Sequence, residues 1–355
     1  MHSSLLRRRR AQQGLLWAAS QDQDRHRRRH TMALALGIIL LVTTAAGAGG
    51  AASAAAVGAA GQPQLPPAAA AIRGIPGADP TGQRDSSAAL NAALRELCRD
   101  ENPHALHPRM ERAPVERVLD LSSGVFRLDT PLAFDSTVTC TGPVRVRGGT
   151  LHAGPALPHD RFLVEAVGYI GQRLVGMTLS FEHLVFASNF TGGGLLVNRS
   201  SFTTVSDCNF LNFATFGIWT SGGDFRLDRS VLMECTDGMT NCAGPLKATA
   251  MYISGADSHF NRNVVACTHV GFVNANGDNF YHQNHIWTNC HPPQTDNGSG
   301  DHNLDGFLIT GGTPQIDGGA MDNCHMRITS YRGVVVSNMH FNAVSRLILD
   351  EWRPE

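Results

Sequence analysis

Two carboxyl groups, one protonating a leaving oxygen and one activating water or attacking, are the usual equipment for cleaving a glycosidic bond. They stand about 5 Å apart when configuration is retained and about 6.5–9.5 Å apart when it is inverted. Two turn-rich stretches of this chain, 236–249 and 291–305, hold Asp237, Asp296, Asp301 and Asp305, and Glu234 stands just before the first. Trp219 and Tyr252 offer flat apolar faces of the kind on which sugar rings stack. Arg332 and Lys247, the sole lysine, are cations able to meet a carboxylate, and His269 is a titratable group able to tune one. No Cys-x-x-Cys spacing occurs, and no His-x-x-x-His within residues 73–355, so neither a metal site nor a cofactor is expected.

What must position these groups is a repeat. Gly194-Leu-Leu-Val, Gly217-Ile-Trp-Thr, Ala250-Met-Tyr-Ile, Gly271-Phe-Val-Asn, Gly306-Phe-Leu-Ile and Gly333-Val-Val-Val recur along the chain. A second short strand follows the early starts, at Phe210, Leu232, Val265 and Ile286, with Gly/Asp turns between. Short strands, such turns and a period near 22 residues predict a solenoid of β coils, an all-β parallel β-helix. Leu195, Ile218, Met251, Phe272, Phe307 and Val334 form an inward column. Trp219 and Tyr252 then fall in the outward column on adjacent rungs, about 4.8 Å apart. Asp305 and Arg332, each one residue before a repeat glycine, are expected as neighbours in one column, paired either as a structural ion pair or as part of a site in which Arg332 clamps a uronate. His269 is expected one rung below. Asp224, Asp257 and Asp278 follow turn glycines and read as turn formers. Cys235, Cys267 and Cys290 stack at one coil position, either as buried thiols or in a disulfide.

Composition agrees. Charged residues are 17% and aromatics 7%, with 37 glycines, which argues against a helical bundle. Residues 1–31 hold eight arginines, whereas the rest is mildly acidic, so no nucleic-acid partner is expected. Residues 1–60 read as a basic flank followed by the apolar run Met32–Val42, a cleaved secretory signal; the alternative is an uncleaved anchor spanning 32–59. Residues 61–72 read as a Pro/Ala linker and 73–355 as one domain facing the outside or a secretory lumen. Asn189, Asn198 and Asn297 head N-glycosylation triplets. Asp85 or Ser86 caps a predicted helix to Cys98 that covers the open N-terminal coil. Nothing after Arg346–Trp352 covers the last coil, so the expectation is a longer native chain, self-association or a frayed end.

Gly77-Ala-Asp-Pro-Thr-Gly-x-x-Asp-Ser with the following Ala-rich helix and Ser122-Ser-Gly-Val-Phe-Arg-Leu resemble the entry motif of the pectate-lyase-like superfamily of right-handed parallel β-helices. Thr191-Gly-Gly-Gly-Leu-Leu-Val and Ser206-Asp-Cys-Asn-Phe with Phe213-Ala-Thr-Phe-Gly-Ile resemble the quartet-type plant polygalacturonases, and the rhamnogalacturonase/epimerase-like group is similar too. Of the motifs of the main polygalacturonase family, Asn303-Leu-Asp305 partly matches Asn-Thr-Asp and Arg327-Ile-Thr partly matches Arg-Ile-Lys. The chain has no Asp-Asp pair and no Gly-His-Gly. The resemblance implies a glycoside hydrolase acting on pectin-like acidic polysaccharide. Read from the residues, the catalytic carboxylates are Asp305 with Asp237 or Asp301, over a floor of Trp219 and Tyr252, with His269, Arg332 and Lys247 binding substrate. The alternatives are a polysaccharide lyase, with an Arg or Lys base, and a non-catalytic glycan-binding or wall-structural solenoid.

Overall fold

A computed structural model describes residues 70–99, 116–122, 124–135, 143–167, 178–199, 202–236, 246–287, 305–329, 333–342 and 345–350, all within the unit Leu65–Glu355. The unit Met1–Gln64 lies outside them, and with it the basic flank and residues 32–59. Among the described residues no helix is long and apolar enough to cross a membrane. The first strand, Ala70–Ile72, lies within the segment read as linker and already pairs with Arg117–Leu119.

The repeat becomes a right-handed parallel β-helix, the hand that parallel crossovers almost always take. Each coil contributes three short strands, such as Thr203–Ser206, Asn209–Leu211 and Phe216–Thr220, and each strand pairs in parallel with its counterpart one coil on. Among the described residues nine strands, from Leu132–Phe134 to Arg346–Leu349, form the front sheet. The other two lines of strands merge into one sheet because Phe280–Trp287 and Gln315–Asp322 run through both.

Inward columns fill the axis. Leu195, Ile218, Met251, Phe272 and Phe307 are in register and essentially fully buried. Ring stacks such as Phe186–Phe210 at 4.4 Å and Phe272–Phe307 at 5.2 Å fill the space between coils. Buried turn polar groups are satisfied along the axis: the backbone N–H of Ser230 donates to Asn263 Oδ1, and that of Asn263 donates to Asn284 Oδ1, both at 3.0 Å. One corner is turned in each coil by a single left-handed residue: His183, Asp207, Arg229 and Arg262 have φ between 49° and 55°. Asp224 and Asp257 are left-handed turn residues as expected, at 56° and 59°.

The N-terminal coil is covered by the helix Ser87–Leu97, with Ser86 at its N-cap and Leu90, Leu94 and Leu97 buried. Asp85 Oδ1 accepts from the Ser87 N–H and hydroxyl. Asp79 knots the preceding motif: it accepts from Thr81 N–H, Thr81 Oγ1 and Arg84 N–H, and these bonds hold its carboxyl down to about 2.

Two expectations change. Phe307 pairs with Met326, so the front-sheet strand after Asp305–Ile309 is His325–Ile328. Val334 is therefore not in the inward front column; the neighbouring strand Val335–Ser337 pairs with Gln315–Asp317 in the other sheet. The segment Gly333-Val-Val-Val has the apolar signature of a front strand but leads into a strand of the other sheet. Second, Cys235 and Cys267 are each disulfide-bonded, as is Cys98, rather than reduced; Cys208 is a buried free thiol. Cys290 lies outside the described residues.

Candidate functional site

Successive strand residues point to opposite faces, so inward Leu195, Ile218 and Met251 turn Leu196, Trp219 and Tyr252 outward. Leu196, Trp219, Tyr252, Val273, Leu308 and Arg327 are register partners in one outward column of the front sheet. The indole of Trp219 and the phenol of Tyr252 lie stacked, with centroids 6.0 Å apart and planes 3° apart, as the alternation required.

Two further aromatics extend this floor. Phe216 meets Tyr252 edge-on at 6.0 Å, and Phe162 stacks on Phe216 at 6.4 Å. Phe162 and Phe216 belong to strands separated by a whole rung. Gly193 occupies the rung between, where a Cβ would stand 2.3 Å from the Phe162 ring. A side chain there would separate the two rings. The signal was present in the sequence as the first small residue of Gly193-Gly-Leu-Leu-Val, one position before the repeat glycine.

Asp305 opens the strand Asp305–Ile309, is 6% exposed, and shares the outward face. Its Oδ2 accepts from Arg327 Nε at 3.0 Å and its Oδ1 from the same nitrogen at 3.3 Å. Arg327 Nη1 also reaches Asp350 at 3.4 Å. The cation in contact with Asp305 is therefore Arg327, whereas the expected partner Arg332 lies outside the described residues. The reason is the register: the rung after Asp305 begins at His325, and Arg327 stands on the outward column two residues on. Burial pushes the Asp305 carboxyl up, against the opposing pull of Arg327. The histidine facing it is likewise His325, its register partner, whose ring is pushed down by burial. His269 immediately precedes Val270, the register partner of Asp305 on the preceding rung, and its backbone N–H donates to Glu234 at 3.2 Å.

Glu234 is buried and takes a structural role. Its carboxylate accepts the N–H groups of Lys247 at 2.7 Å and Ala248 at 2.9 Å besides that of His269. It thus clamps the return of the first insertion onto the strand Thr249–Ile253 and onto the next coil. Burial raises its carboxyl, and the three amides oppose that rise. The side chain of Lys247 is left exposed at this edge. Asn189 is exposed in a left-handed turn with φ 50°, whereas Asn198 is half-buried and its Oδ1 accepts from Ser221 Oγ at 2.7 Å. Asp237, Asp301, Arg332 and Asn297 lie outside the described residues. Among the described residues no group of three metal-ligating side chains converges.

No family model matches the chain. Polygalacturonase QRT3 of Arabidopsis thaliana is 27% identical over 201 residues, which is 56% of this chain and 41% of that protein. The chain thus spans less than half the length of this curated relative. Among solved structures, ORF18 of Geobacillus virus E2 aligns with TM-score 0.48 and 11% identity, covering 77% of this chain and 60% of its own. PfbA, a surface adhesin of Streptococcus pneumoniae, aligns with TM-score 0.29 and 8% identity, covering 80% and 93%. The chain is a parallel β-helix consistent with the pectate-lyase-like polygalacturonases, and a distant homologue of polygalacturonase QRT3.

Proposed function

We propose that the protein is a glycoside hydrolase acting on pectin-like polysaccharide, with its site on the outward face of the front sheet. The observation that carries this reading is the parallel Trp219–Tyr252 stack on the same face as the carboxylate of Asp305, whose strand lies two rungs beyond that of Tyr252. An aromatic floor binds the C–H faces of sugar rings, and a buried carboxyl with a raised proton affinity is suited to protonating a glycosidic oxygen. Asp305 is the proposed acid, and Asp237 or Asp301, from the two insertions, is the proposed second carboxylate. Lys247, exposed at the edge of the face, is a proposed contact for substrate, as are Arg332 and His269. The relative named a polygalacturonase supports the same substrate class.

A second reading has its own support. Arg327 holds Asp305 in an ion pair, and a carboxylate so held suits a glycan-binding solenoid without catalysis. The deciding assay incubates the full chain with galacturonans and follows reducing ends together with absorbance of unsaturated products. New reducing ends without that absorbance support the hydrolase, absorbance supports a lyase, and binding without either product supports the binder.

The basic flank and apolar run before residue 43 support export of the domain, with the cleaved signal or the anchor at 32–59 as the two forms of that proposal. Recovery of the domain from the cytosol of a secretory host would contradict export in either form.

A further inference from the structure

The central outward column of the front face that carries the proposed site is uncharged over five consecutive rungs, with Asp305 beside it on the fifth. Leu196, Trp219, Tyr252, Val273 and Leu308 follow one another in register without a charged side chain. Only at the ends does charge enter the column. Glu165 precedes Leu196 and is held by Arg161 at 2.7 Å, and Arg327 follows Leu308 and is held by Asp305 and Asp350. The outward positions two residues further along these strands are Asn198, Ser221, Ser254, Ala275 and Thr310, which are also uncharged. Asn198 and Ser221 are already hydrogen-bonded to each other across the rungs.

The sequence of the two insertions follows the same pattern. Residues 236–246 and 288–304 contain Asp237, Asp296 and Asp301 and no arginine or lysine. Lys247 is the one cation adjoining the first insertion. A polyanion laid along five rungs would need cations spaced along the face to offset the cost of stripping water from each carboxylate. Among the described residues this face offers apolar rings, hydroxyls and the carboxylate of Asp305 instead.

Resting on the reading of this face as a pectin-binding site, we infer that its aromatic floor takes uncharged pyranose units: neutral sugars or uronates whose carboxyl is methyl-esterified. Free polyuronate is not its ligand. An ester removes the charge and adds an apolar methyl group, which suits the Phe216–Tyr252–Trp219 floor. Axial and ring C–H groups of an uncharged sugar pack on the same rings without a desolvation penalty for ionised groups.

The test measures binding of the full chain to three polysaccharides: a fully methyl-esterified galacturonan, the same galacturonan after saponification, and a neutral galactan. The expected result is affinity for the esterified form at least about tenfold above the saponified one, changing little with added salt because no ion pairs are screened. Equal affinity for galactan assigns recognition to ring faces, and weaker affinity assigns it to the ester; both support the inference. Trp219→Ala should lower affinity for the esterified form about tenfold at unchanged Tm. Leu196→Arg, a change at a half-exposed position, should bring the saponified form to at least equal affinity even if Trp219→Ala does not fold. Tightest binding of the saponified form, with affinity that collapses in salt, would overturn the inference, as would wild-type binding by both variants or no binding of any of the three. Reducing ends followed in the same samples separate the two claims. Preference for the esterified form without release removes the hydrolase and leaves this inference standing. Release with preference for the saponified form does the reverse.

Discussion

Asp305 and Arg327 join adjacent rungs of the front sheet through a contact of 3.0 Å, and the same guanidinium reaches Asp350 one rung further on. Three coils are thus tied by one side chain on the face that carries the proposed site. Arg327 is mostly shielded and Asp305 is 6% exposed, so removing the cation leaves a carboxylate inside without its partner. Arg327→Met is expected to lower stability by ~2 kcal/mol or more, with the last three coils melting before the rest. Hydrogen exchange read by mass spectrometry checks this, since amides of 305–309 and 325–328 should lose protection while those of 203–220 keep it. Uniform protection in the variant would show the pair to be neutral.

Glu234 should matter for stability rather than turnover. Its carboxylate holds three backbone amides from two coils, so Glu234→Ala takes the acceptor from the N–H groups of Lys247 and Ala248, while that of His269 keeps Ala248 O at 3.1 Å. The expected loss is about 2–3 kcal/mol. Glu234→Gln keeps one acceptor oxygen and should recover part of the loss. Urea unfolding of the three proteins decides, and equal midpoints would contradict the clamp.

The acid limb of stability follows from Asp79 and Asp120. Hydrogen bonds from Thr81 to Asp79 and from Ser122 to Asp120 hold each carboxyl at about 2, against 3.8 ordinarily. A depressed carboxyl contributes stability that is complete above the unfolded value and lost as pH falls through the folded one. Tm should hold down to about pH 4 and fall between about pH 4 and pH 2. Asp79→Asn, which cannot titrate, should make that fall shallower; an unchanged slope would assign acid unfolding to other groups.

The two described glycosylation triplets should differ in use. Asn189 is exposed at a turn, whereas the amide of Asn198 is half-buried and bonded to Ser221. In a secretory host, Asn189→Gln is expected to remove a deglycosylase-sensitive mobility shift that Asn198→Gln leaves in place. The opposite pattern would contradict this ranking by exposure.

The front face could be read from sequence where glycine or alanine starts each strand, because that small residue fixes the phase of the alternation. Trp219 and Tyr252 follow Gly217 and Ala250 by two, so their outward stacking was legible. The same signal failed at the end. His325-Met-Arg-Ile belongs to the front sheet without a small first residue, while Gly333-Val-Val-Val has the signature and belongs to the other sheet. Inward apolar residues look alike on all three sides of a coil, so composition cannot distinguish them. That single miscount set the expected register partner of Asp305 in the Gly333 segment, whereas the next rung is His325–Ile328 and carries Arg327. The Phe162–Phe216 stack was hidden for a different reason: it spans two rungs over Gly193, a relation that needs the register of three strands at once. Polar strands such as Arg226–Asp228 and His259–Asn261 carry little apolar alternation, and the third side of the coil went unread with them.

The central claim, that Asp305 on an aromatic front face cleaves a pectin-like glycan, is tested most directly by the turnover of Asp305→Asn. The assay is reducing-end release from a galacturonan that the wild-type chain cleaves, with folding checked by circular dichroism and by retained binding on the Trp219–Tyr252 floor. Loss of a general acid predicts kcat lower by about 10²–10⁴-fold with KM little changed. Full turnover by a normally folded Asp305→Asn protein would contradict the account and leave the contact with Arg327 as a structural ion pair.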